Sequence, residues 1–307
     1  MIETFNAALP HGITLSCRAA GPQGAPLVIF LHGFPEGAFV WDEMLRHFGD
    51  RYRCVAPNLR GFEQSSAPAE VDAYRPKHLV TDIVALAAHC NQAAGRAADA
   101  PLAALVAHDW GGALAWNLAA QQPGMLERLV IINSPHPATF LRELQHSPAQ
   151  QKASAYMNFL CRDDAVELLA ANDFARMWSF FSGKSNGQQA SVAPGWLTDV
   201  VKGQYRAVWQ AGLQGGLNYY RASPLHPPTA VDDAIMTLSF PPEFVTVDVP
   251  TLVIWGERDI ALPPALLDGL EAYVPRMRLV RVPDATHWIV HERPALVARE
   301  IEAALAG

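Results

Sequence analysis

The chain has 307 residues, half of them hydrophobic, and a net charge of -7, enough to build one large α/β domain or a domain with an insertion. An acidic balance without a basic tract argues against nucleic acid or an anionic membrane as a partner. Four cysteines (Cys17, Cys54, Cys90, Cys161) and eleven histidines share no metal-ligand spacing, which leaves neither a disulfide framework nor a metal site to expect. The opening MIETFNAALPHGITL lacks a basic and an apolar signal region, and no apolar run reaches the ~20 residues of a membrane span. A soluble, cytoplasmic protein is therefore expected.

Two hairpin-like segments, 2–9 and 13–19, open the chain and predict an antiparallel sheet edge. Short apolar, β-branched runs follow at 27–31, 54–56, 103–107, 129–132, 251–255 and 277–282. Helical patterns at 38–48, 76–94, 111–121, 263–273 and 294–306 lie between or after them, the signature of a mostly parallel sheet flanked by helices. Proline opens three of these helices (Pro76, Pro263, Pro294), where its missing N–H costs nothing. Between about 135 and 247 the alternation stops, and helix formers at 165–171 and 196–210 with many aromatics predict a helical cap over the carboxyl ends of the strands. SGKSNGQQAS within it reads as a mobile loop. The expected organisation is thus core 1–134, cap 135–247 and core 248–307.

Chemistry concentrates where strands end. VAHDWGG places Asp109 between a strand and a helix, with Ala107 and Gly111 as the small residues two places either side, the pattern of a nucleophile elbow. HDWGG alone also reads as an N-cap aspartate before a glycine turn. The order of its companions decides: an oxyanion donor upstream, then an acid and a histidine downstream. His32, Gly33, Phe34, Pro35 and Glu36 follow the first parallel strand, so the backbone amides of Phe34 and Trp110 are the expected oxyanion donors. Asp259 ends the strand in TLVIWGERD, with Glu257 the weaker choice, and Asn133 occupies the other place where such an acid can stand. His287, with a reference pKa near 6.5, is the expected base for water, and His291 reads as the polar start of the next helix. An aspartate with an unperturbed pKa of ~3.9 needs no base of its own to attack saturated carbon.

HGFPE at 32–36 and HDWGG at 108–112 resemble, in content and order, the motifs of the epoxide hydrolases within the α/β-hydrolase superfamily, and the resemblance covers nearly the whole chain. It implies the α/β-hydrolase fold with an inserted helical cap, and two cap tyrosines that donate to the epoxide oxygen. Asn218, Tyr219, Tyr220 and Arg221 match the family's NWYR-like motif with tyrosine for tryptophan, which points to Tyr220; Tyr156 stands where the first tyrosine is expected. His32, Pro35 and Trp110 are implied to surround the substrate. The expected partners are a small apolar epoxide, or a haloalkane, and water; a homodimer is compatible with the reading, and no cofactor or metal is required. Haloalkane dehalogenases use the same aspartate, histidine and ester, and Trp110 would also suit a halide. Fluoroacetate dehalogenases carry arginines where this chain has Trp110 and Ala113. A ligand-binding homologue without turnover is the third reading, and a serine esterase would need Ser134 or another hydroxyl in place of Asp109.

Overall fold

The computed structural model describes residues 1–182 and 194–306. Nearly all of SGKSNGQQAS lies outside the described residues. Among the described residues, eight strands form one sheet in the order β1-β2-β4-β3-β5-β6-β7-β8. β1 (Glu3–Ala8) and β2 (Thr14–Ala20) pair antiparallel, Glu3 opposite Ala19, and β2 alternates buried and half-buried residues as a one-sided strand must. β3 (Leu27–Leu31), β4 (Arg53–Pro57), β5 (Ala104–His108), β6 (Leu129–Ile132) and β7 (Thr251–Gly256) are buried at every position, because helices cover both faces. From β3 and β4 onward the pairing is parallel, ending at the half-exposed edge strand β8 (Met277–Val282).

The strand order turns round at β3, which has β4 on one side and β5 on the other. A crevice opens at such a switch point, outside the carboxyl ends of the strands. The loop after β3 carries Gly33 and Phe34, and β5 ends one residue before Asp109.

The flanking helices are α1 (Asp42–Phe48), α2 (Pro76–Ala93) and α3 (Trp110–Gln121). Between β6 and β7 come α4 (Pro137–His146), α5 (Pro148–Ala153), α6 (Ala155–Leu160), α7 (Ala165–Ser179), α8 (Asp199–Ala211) and α9 (Gln214–Ala222). The chain closes with α10 (Ile289–Glu292) and α11 (Pro294–Ala306). The insertion is tied to the core by α8, which buries Tyr205, Val208 and Trp209 on one face. The Trp209 indole donates to the Pro35 carbonyl at 2.7 Å.

Four expected helices differ, the first being 38–48, which opens with a 3₁₀ turn at Ala38–Trp41 before α1. Residues 263–273 form two 3₁₀ turns, Pro264–Leu267 and Leu270–Ala272, divided by Gly269 in the left-handed region (φ 74°). The 165–171 helix continues to Ser179, but only across a break in which Asn172, Asp173 and Phe174 all have positive φ. Trp196 precedes its helix, which starts after Thr198, whose hydroxyl accepts from the Val201 amide. No helix among the described residues is long and apolar enough to cross a membrane.

Candidate active site

β5 passes into α3 through Asp109 at φ 50° and ψ -122°, a conformation costing a non-glycine residue about 1–3 kcal/mol. The surroundings enforce it. Ser134 Oγ donates to the Asp109 carbonyl at 2.6 Å, so the serine considered as a rival nucleophile is buried beneath the turn and supports it. Two glycines let other backbone come close. A Cβ on Gly111 would stand 2.5 Å from the Leu31 carbonyl, and one on Gly33 only 2.1 Å from Asp109 Oδ1.

The two carboxylate oxygens of Asp109 meet different neighbours. Oδ1 accepts the Phe34 amide at 2.7 Å, while Oδ2 faces His287 Nε2 at 3.7 Å, too far for a direct hydrogen bond. Trp110 opens α3, so its amide is among those without an intrahelical acceptor. His287 Nδ1 donates to Asp259 Oδ2 at 2.7 Å. A carboxylate can only accept, which leaves Nε2 as the atom directed at Asp109. Burial alone would lower the His287 pKa, but the charges of Asp259 and Asp109 outweigh it and raise it to about 9.

Asp259 is buried and saturated with donors. The Ala261 and Leu262 amides reach Oδ1, each at 2.9 Å, and Asn133 Nδ2 reaches Oδ2 at 2.9 Å. Burial pushes this carboxyl up, yet His287 and these donors hold it below the usual range. Asn133 thus orients the acid, itself fixed by the Gly256 amide at 2.7 Å. Glu257 instead pairs with Arg281 at the surface.

Tyr220 on α9 and Tyr156 on α6 meet within reach of the Asp109 charge, their rings 6.1 Å apart and nearly perpendicular. Both phenols are pushed above their ordinary pKa, mainly by burial and also by the Asp109 charge, so each stays protonated and able to donate. Tyr219 points elsewhere, its hydroxyl donating to the Arg60 carbonyl at 3.0 Å. The rings of Phe34 and Trp110 pack against Tyr220 at 5.4 and 5.0 Å, and Phe180 packs against Phe34 and Tyr156.

Two residues implied to touch substrate are otherwise engaged. His32 is fully buried; Gly33 O takes one ring nitrogen and the Leu59 amide the other, so it braces the loop. Pro35 is buried too, and its carbonyl is the anchor for Trp209. His291 does more than begin a helix: it contacts Glu36 at 2.9 Å and the Tyr205 hydroxyl at 3.0 Å, stacked on Trp196.

Glu36 and His108 belong to this buried network; the sequence motifs contain both but give neither a role. His108 Nδ1 lies 3.1 Å from Glu36 and its Nε2 2.9 Å from the His287 carbonyl, while Tyr205 donates to Glu36 at 2.7 Å. Burial would raise Glu36, but its hydrogen bonds from His108 and His291 hold it well below the usual carboxylate range. The available signal was an acid and a base at the rims of apolar runs, where a buried charge needs a partner.

The alpha/beta hydrolase fold family matches residues 26–294. The AB hydrolase superfamily protein YfhM of Bacillus subtilis is 34% identical, over 94% of this chain and 92% of its own. Epoxide hydrolase 3 of Xenopus tropicalis is 32% identical, over 94% of this chain and 74% of its own. A solved epoxide hydrolase from metagenomes of hot environments superposes with a TM-score of 0.84 at 37% identity, covering 100% of this chain and 99% of that one. With this fold, and with relatives at these identities along nearly its whole length, the chain belongs to the epoxide hydrolases of the α/β-hydrolase superfamily.

Proposed function

We propose that the protein opens an epoxide to a vicinal diol through an ester on Asp109. Asp109 Oδ2 attacks a ring carbon from behind the breaking C–O bond, while Oδ1 rests on the Phe34 amide. Tyr156 and Tyr220 donate to the departing oxygen, and one of them gives it a proton. Such help is worth about 10²–10⁴ in rate, because an alkoxide is too basic to leave unaided. The phenolate is reprotonated at the expense of the His287 imidazolium.

Ester formation also changes His287. The Asp109 charge is, after Asp259, among those that sustain its high pKa, and an ester has none. Having given its proton to the phenolate, the imidazole stays neutral and can accept one from water, with Asp259 behind it. Hydroxide adds to the ester carbonyl, whose oxyanion is received by the Phe34 and Trp110 amides. Collapse expels the diol oxygen, which takes the proton that His287 gained from water, and the proton of the new Asp109 carboxyl then passes to His287, restoring carboxylate and imidazolium. Residues 135–247 serve as the cap that supplies both phenols and excludes water.

One observation carries the choice of an epoxide over a halide: two protonated phenols converge beside the carboxylate. A halide leaving group has no need of a proton. The test is a single turnover in ¹⁸O-water with enzyme in excess over styrene oxide. The diol should emerge unlabelled and Asp109 should carry the label. Label in the diol from that first turnover would mean direct attack by water.

A further inference from the structure

Gln150 on α5 is 2% exposed, although a long polar side chain in such a place normally signals a specific partner. Its amide nitrogen has two: it donates to Ser154 Oγ at 2.8 Å and to the Ala261 carbonyl at 3.0 Å. The orientation is fixed, since a carbonyl oxygen only accepts and the NH₂ end must face it. Gln150 Oε1 is buried with no hydrogen-bond partner among the described residues, so the two donors are what this amide contributes.

Each donor leads to a different part of the site. The Ala261 carbonyl and the Leu262 N–H are opposite ends of one planar peptide unit, and that N–H donates to Asp259 Oδ1 at 2.9 Å. Gln150 therefore grips the far side of the peptide that orients the partner of His287. Ser154 is the residue before α6, and its carbonyl accepts the Met157 amide at 2.9 Å, closing the turn that carries Tyr156.

We infer that Gln150 is a positioning residue that joins the acid turn at 259–262 to the helix bearing the proton donor, so that water activation and ring opening share one brace. The inference rests on the mechanism proposed above. Gln150→Met keeps the length and bulk of the side chain and removes both donors. It should slow formation and hydrolysis of the Asp109 ester by about tenfold or more, as a displacement of about 1 Å at a catalytic group does. A longer His287–Asp259 contact should also move the pH midpoint of ester hydrolysis down by about one unit. Ser154→Ala cuts only the branch to α6; it should slow ester formation while leaving that midpoint in place.

The measurement is rapid-quench mass spectrometry of ester formation and decay with styrene oxide, from pH 5 to 10, on wild-type protein and both variants. Wild-type rates and midpoint in Gln150→Met would overturn the inference, as would a loss proportional to the unfolded fraction with an unmoved midpoint. If the methionine variant does not fold, Gln150→Asn retains the amide on a stem too short to reach both acceptors. Full rates and an unmoved midpoint there would overturn the inference equally. Absence of any ester on wild-type Asp109 would defeat the mechanism itself, a result distinct from failure of the brace.

Discussion

Asp109 divides its carboxylate between a backbone amide and an imidazole, and the proposed mechanism takes its attacking atom from that division. In the proposed mechanism Oδ1, on the Phe34 amide, becomes the oxyanion, and Oδ2, 3.7 Å from His287, attacks. Gly33→Ala would put a methyl group 2.1 Å from Oδ1, so it should cut ester formation by at least ~10²-fold, readable as the rate of Asp109 labelling. Tyr220→Phe should slow ring opening by about 10²-fold and barely touch ester hydrolysis; an equal loss in both steps would remove its donor role. The charge on His287 has a consequence for stability. Its folded pKa is raised to about 9, so the stabilisation is fully present below the unfolded value near 6.5 and is lost as pH rises through about 9. With the side chain 13% exposed, about 3 kcal/mol is at stake. Urea unfolding at pH 6.5 and 9.5 should show the fall, and Asp109→Asn should move it to lower pH. Asp109 and His287 were legible as residues because a motif and its order single them out. Glu36, His108 and Gln150 were not, since only the tertiary fold brings their partners to them.

Elements follow the same logic. Five strands were plain from unbroken apolar runs, because a strand covered on both faces needs no polar alternation. The break in α7 was not plain. Asn172 and Asp173 tolerate the left-handed region, but Phe174 does not by itself, and its ring packs 5.5 Å from Trp209. Helix α8 depends on tertiary anchoring as well: Trp209 is buried and holds the loop after β3 through the Pro35 carbonyl. Trp209→Ala should destabilise the protein by about 3–5 kcal/mol, lowering the urea midpoint, and should weaken Asp109 labelling because Phe34 lies in the same loop. A midpoint unchanged within error would show that α8 is held by other contacts.

At the scale of the whole molecule, the proposed mechanism takes its rigid parts from the sheet and its substrate-facing phenols from the insertion between β6 and β7. The switch point between β3 and β5 supplies the Phe34 amide and Asp109; the ends of β6, β7 and β8 supply Asn133, Asp259 and His287. The order of these strands is what the sequence made readable. How α6 and α9 bring Tyr156 and Tyr220 together depends on packing between helices, for which no local pattern codes. That convergence is what the proposal rests on in preferring an epoxide to a halide. The decisive measurement is the intact mass of His287→Gln after mixing with styrene oxide and 1-bromobutane together. Without the base for water the ester should persist, and a mass increase equal to the whole epoxide, mapped to Asp109, is the expected result. A bare butyl group on Asp109, or no adduct from either compound, would contradict it.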